Sequence, residues 1–572
     1  MAVSRATPAF AAGTAVGRLP VALLALGVVA VAVARLSVAG WAGVAPDDAR
    51  YLYVGLSVLD GRGPLTPDGA TFLLRSPAYG VVLGLGSRLV SPLAGGDLLF
   101  GARLAAVCLM LLGLVGAIRL AWLLGGRPAA VVTTTLLVAT PLVWRLVPTL
   151  RIDLVQTAGV VAVLLILHRP TIGRWVLAGA VLGLTVLVKE SALLLVALPL
   201  AWIDGRPDRQ WLARTAAYVL ATVAIAGWWW VVVWVQAGAV FPANALAVIE
   251  GRQVGADLEV GVAGFVLVGI MAAGWLVVAA RARHERAVRG LFLAALLLLP
   301  PAVYTFANGL DARNYAGLAV LSAIAPGIAA ERLIRLADRR RLGIAAIGAF
   351  GLLVGLGQVE AGAAYEPPLP ARLAAWMGDR LSPGDKVAMT FRFRALVAVE
   401  MYGRTVVEEL RPARVQPDDD PRDYVCMGLR DRQLFGYRRG AWARTLGDPA
   451  VRYLAIAEPH FFAPVELEPF LASAAAEQTG IRFVERLEPE GPTAAVYSVT
   501  PGRVGEGTNR IPLHVTSDAL AAWLALAGPD AAARLTAAGP IVTGDTVTLE
   551  AGCSEPAGAP FPEGWRRLIA CP

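Results

Sequence analysis

The chain runs to 572 residues, of which 57% are hydrophobic and only 16% charged, with a net charge of +8. That balance excludes an ordinary water-soluble globule and places the chain among polytopic membrane proteins. The surplus is arginine, with two lysines only, Lys189 and Lys386, and it sits in short loops, where it sets topology rather than marking a nucleic-acid surface.

Crossing a bilayer takes roughly 20 apolar residues. In chain order such runs lie near 19–40, 98–124, 128–147, 152–168, 173–188, 190–203, 213–235, 260–280, 288–306, 315–334 and 342–358, about eleven spans by the same length rule. The two on either side of Lys189 are short. The first run ends at Trp41 without a small-x-small cleavage site and reads as a retained helix rather than a signal peptide. From about residue 359 the composition turns to that of a soluble domain. Three parts result: a transmembrane domain over 1–358, a small α/β domain over 359–500, and an extension over 501–572 without a legible role.

Arginine placement sets the orientation. With the N-terminus inside, cytoplasmic loops hold Arg127, Arg169, Arg174, Arg206, Arg209, Arg214, the run from Arg281 to Arg289, and Arg335 to Arg341. The opposite loops hold the acids Asp47, Asp48, Asp60, Asp68 and Asp257. An odd number of spans then exports the C-terminal domain. In that domain the pattern predicts helices over 372–381, 394–402 and 465–479, and strands over 386–390, 405–410, 452–457, 482–485 and 494–499. Strands alternating with helices make a small α/β sandwich. A further helix is expected over 517–527 and a strand over 545–550. The acidic run Asp418-Asp419-Asp420, followed by Pro421, reads as a solvated turn. Cys108 lies in a span as a small apolar residue. Cys553 and Cys571 sit in the exported tail, where a disulfide is permitted but equally need not form. Neither the cysteines nor the four histidines have zinc-site spacing.

The polar residues of interest cluster at the outer ends of spans. The first outer loop carries Pro46-Asp47-Asp48-Ala49-Arg50-Tyr51, then Leu74-Arg75-Ser76-Pro77-Ala78-Tyr79. Acid pairs at a membrane surface are costly unless they bind something or do chemistry. Asp47 has a plainer reading as the N-cap of a helix over 48–59. Arg151 and Asp153 open the fourth span, Lys189-Glu190 sit between the two short spans, and Asp311-Ala312-Arg313-Asn314-Tyr315 opens the tenth. Asp153 has a competing reading as a structural partner of another helix. Trp228, Trp229, Trp230 and Trp234 read as an interfacial belt.

This arrangement resembles the GT-C glycosyltransferases, and within them the lipid A aminoarabinose transferases and protein O-mannosyltransferases. Their first loop carries Asp-Glu or Asp-Asp, then Arg-Tyr, then a Pro-containing helix start. The resemblance covers roughly residues 19–335 and implies a GT-C-like polytopic α-helical membrane protein with an exported α/β domain. It implies transfer of a monosaccharide from a polyprenyl-phosphate carrier, with inversion, to an acceptor that is a lipid, a polysaccharide or a protein at a bacterial plasma membrane. Asp47 would be the general base. Asp48 would orient the acceptor or help hold a divalent metal ion. Arg50 and Tyr51 would fasten the loop. Where the aminoarabinose transferases have Glu-Lys-Pro, this chain has Arg75-Ser76-Pro77, so Arg75 either replaces the lysine against phosphate or is an interfacial arginine. Tyr79 matches the helix start, and Asp153 matches an acid of the family. Lys189 would make a point-charge contact to phosphate. Arg313 would grip the carrier phosphate with Tyr315 beside it, the alternative being an interfacial anchor.

The chemistry agrees with such a set. A phosphate leaves without a general acid, unlike the oxygen of a glycosidic ether. The acceptor hydroxyl needs one base, and the developing phosphate charge needs cations. The exported domain supplies neither and is expected to be dispensable for chemistry. Other classes would be a transporter or flippase, marked by mid-span charges and internal repeats, or a non-catalytic scaffold.

Overall fold

In the computed structural model the described residues comprise most of 46–140, 150–238, 262–307, 316–335, 369–457 and 479–507. Short pieces follow at 513–515, 523, 541–543 and 547–549. The predicted spans near 19–40 and 342–358, Asp257, the helix over 465–479, Cys553 and Cys571 lie outside them. The chain divides into two compact units. One comprises Met1–Gly43, Leu73–Tyr79 and Arg103–Tyr365, the other Val44–Phe72, Gly80–Ala102 and Glu366–Pro572. This line differs from the one drawn by composition, because most of the first outer loop groups with the C-terminal domain.

The first-loop helices are α1 (Pro46–Leu59) and α2 (Ala78–Val90). The apolar bundle comprises α3 (Leu98–Ala139), α4 (Ile152–Leu167), α5 (Ile172–Val188), α6 (Arg209–Ala237), α7 (Val262–Ala282), α8 (Arg286–Ala307) and α9 (Ala316–Arg335). Two described helices, Leu98–Val138 and Arg209–Gln236, are long and apolar enough to cross a membrane. The helix α3 is broken where Gly125 and Gly126 leave helical geometry, Gly126 at φ 70°, so Arg127 lies at the junction expected between the second and third spans. Asp97 caps α3, accepting from the Phe100 amide at 2.9 Å.

The sixth predicted span is a 3-10 helix, Glu190–Trp202. Runs of this form are usually three or four residues. Its rise of about 2.0 Å per residue carries it about 26 Å, against about 20 Å as an α-helix, so a short segment nearly matches a hydrocarbon core of about 30 Å. Ala192, Leu195, Leu198 and Ala201 are buried, one per turn of a three-residue period. The apolar core of the bundle joins these to Trp175, Tyr218 and the buried faces of α3 to α9. The Tyr218 hydroxyl donates to the Leu195 carbonyl, and the Trp211 indole to that of Pro199. Arg289 donates to the carbonyls of Ala201, Ile203 and Ala282, satisfying helix-end acceptors.

The C-terminal domain begins with α10 (Leu369–Gly378), and α11 (Arg394–Glu400) follows the first strand. Its strands are β1 (Lys386–Thr390), β2 (Val406–Leu410), β3 (Ala413–Arg414), β4 (Tyr424–Arg430) and β5 (Gln433–Arg438). After α12 (Arg439–Gly447) come β6 (Val451–Ala457), β7 (Ile481–Leu487) and β8 (Ala494–Val499). Then follow α13 (Pro501–Gly507), β9 (Leu513–Val515), β10 (Ile541–Thr543) and β11 (Val547–Leu549). One sheet has the order β2-β1-β6-β8-β7, with β2, β1 and β6 parallel and β8 and β7 antiparallel. The expected strands of this sheet are all present. A second sheet, β11-β10-β9-β4-β5-β3, was not foreseen from sequence apart from β11, which falls within the strand expected over 545–550. Asp419 is held by the Tyr424 hydroxyl, Arg438 and the Gln416 amide, so the acidic run is a structural turn.

Candidate active site

The α1 helix begins at Pro46, where a proline fits the first helical position. Asp47 and Asp48 therefore lie within the first turn, and the reading of Asp47 as an N-cap to a helix starting at Asp48 is corrected. Carboxylates there are favoured by the positive end of the helix dipole. Asp48 is only 1% exposed, which requires that its charge be compensated, and it is engaged with a partner. The Asp47 side chain lies outside the described residues. Tyr51 meets Phe72 edge-on, ring centres 6.0 Å apart, which ties the loop back on α1.

Two backbones cross closely next to this turn. A Cβ on Gly55 would stand 1.8 Å from the Gly80 carbonyl oxygen, and one on Gly80 would stand 2.3 Å from that of Tyr51. Gly80 and Gly84 form a small-xxx-small step on α2, a local signal of this crossing in the sequence. Beyond the C-terminal end of α1, Asp60 accepts from the Tyr402 hydroxyl and from Arg62 and Arg88. The Tyr402 hydrogen bond, with Arg88, holds the Asp60 carboxyl below the usual carboxylate range. In the same unit Glu400 is part-buried, and burial, then the nearby charge of Asp97, push its carboxyl up to about 7 against a weaker pull from Arg404.

In the other unit, Ser76 accepts from the Ala78 amide at 3.2 Å. Pro77 follows this cap, so the Ser-Pro-Ala run starts a helix for local reasons. Tyr79 is buried and its hydroxyl donates to the Leu150 carbonyl at 2.9 Å, a structural bond. Asp153, in the first turn of α4, pairs with Lys189 at 2.5 Å, their side chains 5% and 14% exposed. Lys189 is extended between α5 and the 3-10 helix, which brings its ammonium to that acid. Arg75 lies within Coulombic reach of Glu190, and Gln156 donates to Ser191 at 2.9 Å. The structure thus gathers Arg75, Asp153, Lys189 and Glu190 into a charged cluster of two cations and two acids. Lys189 is compensated by Asp153, a partner the sequence did not assign to it.

Arg103 of α3, which no sequence motif singled out, is 4% exposed. A buried arginine inside an apolar run was itself a legible signal. Arg313 and Tyr315 lie outside the described residues. Trp228 and Trp234 are exposed and Trp229 is buried, a placement compatible with an interfacial belt for the first two. Among the described residues no three His, Cys, Asp or Glu side chains come together, and no step is derived through a metal.

The family described as dolichyl-phosphate-mannose-protein mannosyltransferase matches residues 76–234. ArnT from Cupriavidus metallidurans in the apo state superposes with a TM-score of 0.57 at 16% identity, covering 85% of this chain and 99% of that one. The likeness to the GT-C glycosyltransferases holds. The same ArnT bound to undecaprenyl phosphate gives a TM-score of 0.56 at 15% identity, over 84% of this chain and 98% of that one. At this identity the match shows a shared fold alone, mostly helical with a sheet-containing C-terminal region. No curated protein matches the chain significantly.

Proposed function

We propose that the protein is a membrane glycosyltransferase that moves a monosaccharide from a polyprenyl-phosphate carrier to an acceptor hydroxyl outside the cytoplasm, inverting the anomeric carbon. Support comes chiefly from one combination: a GT-C fold matched along nearly all of an ArnT that binds undecaprenyl phosphate, with an acid pair in the first turn of the first-loop helix. Asp47 is assigned as the base that takes the acceptor proton, which needs hydrogen-bond reach and a carboxylate ionised at working pH. Asp48 is buried beside it in sequence and acts by orienting. Arg75 and Lys189, with Arg313 and Tyr315, are assigned to the phosphate end, where cations offset the charge that develops as the sugar leaves.

The test is transfer of radiolabel from a panel of polyprenyl-phosphate sugars in membranes containing the full chain. Label should pass from the lipid donor to an acceptor fraction, and free polyprenyl phosphate should accumulate with it. Movement of intact donor across the bilayer without cleavage would instead mark a flippase.

A further inference from the structure

The chemistry proposed above uses the first turn of α1 and leaves the other end of that helix without a role. There, side chains far apart in sequence converge. The Tyr402 hydroxyl, just past α11, donates to Asp60 at 2.5 Å and accepts from Arg62. Arg88 of α2 closes on the other Asp60 oxygen, and Arg62 reaches Asp60 at 3.3 Å. The Arg62 guanidinium lies 5.0 Å over the Tyr402 ring. That ring meets Tyr53 of α1 edge-on at 5.1 Å, and Tyr53 packs on the core that α10, α11 and the first sheet share. Exposed ion pairs taken singly contribute little. Here two guanidiniums and a phenol account for both Asp60 oxygens, and the edge-on Tyr53 ring with the Arg62 guanidinium over the face of the Tyr402 ring fixes the phenol. The helix end is thereby held in more than one direction.

Leverage gives this knot a consequence. The 14 residues of α1 form a rod about 21 Å long, so a tilt of about 3° at one end moves the other by about 1 Å. Misplacing a reacting group by 1 Å costs up to about 10²-fold in rate. We infer that Tyr402 is a positioning residue: through the knot at Asp60 the C-terminal domain holds α1, and with it the first-turn acids Asp47 and Asp48, in working orientation. The inference rests on the assignment of those acids in the proposed function. It reverses the expectation that the exported domain is dispensable for chemistry.

Tyr402→Phe in the purified full chain keeps the ring contacts and removes the hydroxyl. Hydrogen exchange across 46–59 should quicken, the dissociation constant for undecaprenyl phosphate should stay within about twofold, and maximal transfer should fall about tenfold. Asp60→Asn should reproduce this pattern from the α1 side. The Asp47→Asn, Tyr402→Phe double variant should be no slower than Asp47→Asn alone, because both act through one group. Unchanged exchange across 46–59 would overturn the hold, and quickened exchange with wild-type transfer would overturn the positioning role. If the wild type cleaves no donor, the transferase reading falls and this inference with it; normal wild-type transfer insensitive to Tyr402 defeats the inference alone.

Discussion

At Lys189 the sequence singles out both members of the pair, Lys189 and Asp153, and not the fact that they meet. A lysine among arginines stood out, and its 2.5 Å pairing with Asp153 depends on α4 meeting the end of α5, which no local pattern encodes. Breaking a buried pair leaves an uncompensated charge, at a cost of about 3–5 kcal/mol. Lys189→Met should therefore lower the thermal stability of the full chain sharply, and the added Asp153→Asn should restore much of it. An undiminished melting temperature in Lys189→Met would contradict the pairing. Glu400 gives a prediction in pH. Its carboxyl is raised to about 7 from an ordinary value of about 4.3, so the folded state binds the proton more tightly than the unfolded one. The favourable contribution is complete below about pH 4.3 and is lost as pH rises through about 7. Glu400→Gln should abolish that decline, measured as melting temperature against pH, and leave a more stable protein above neutrality.

Elements whose local signals agree were legible. The strands Lys386–Thr390 and Ala494–Val499 coincide with the expected ones because alternation and flanking turns mark them. The helix α1 ends at Leu59 as expected, though it starts earlier, with Pro46 as its first residue. The hairpin of β4 and β5 escaped because Arg430, Asp431 and Arg432 break its apolar pattern at the turn, and β9 and β10 because they are three residues each, whereas β11 falls within the strand expected over 545–550. The 3-10 form of Glu190–Trp202 escaped because an all-apolar run does not reveal its period. The crossing of α1 and α2 was missed although Gly80 and Gly84 carried a signal. There Gly55→Ala must push a Cβ into the Gly80 carbonyl, so it should destabilise the full chain by about 1–3 kcal/mol. Gly173→Ala, in α5 with nothing within 4 Å, should be neutral or slightly stabilising by the better helix propensity of alanine. Equal melting temperatures for the two variants would refute the close approach.

For the whole molecule, composition separated an apolar part from a mixed one, while contacts group the first-loop helices with the C-terminal residues. Composition carries no record of such grouping, since a loop between two spans joins whichever core its apolar face fits. The arginine pattern predicts the orientation: cysteines at the exposed positions Thr71 and Arg283, in a cysteine-free background, should label from opposite sides of the membrane. Labelling from one side would remove the outward loop on which the reaction depends. In the proposed reaction Asp47 takes the acceptor proton. Asn at a first-turn position forgoes only about 0.3–1 kcal/mol of dipole interaction, so Asp47→Asn should leave protein level and undecaprenyl phosphate affinity near wild type. Transfer of radiolabelled sugar by that variant should fall by about 10² or more, and transfer at a near-normal rate would contradict the account.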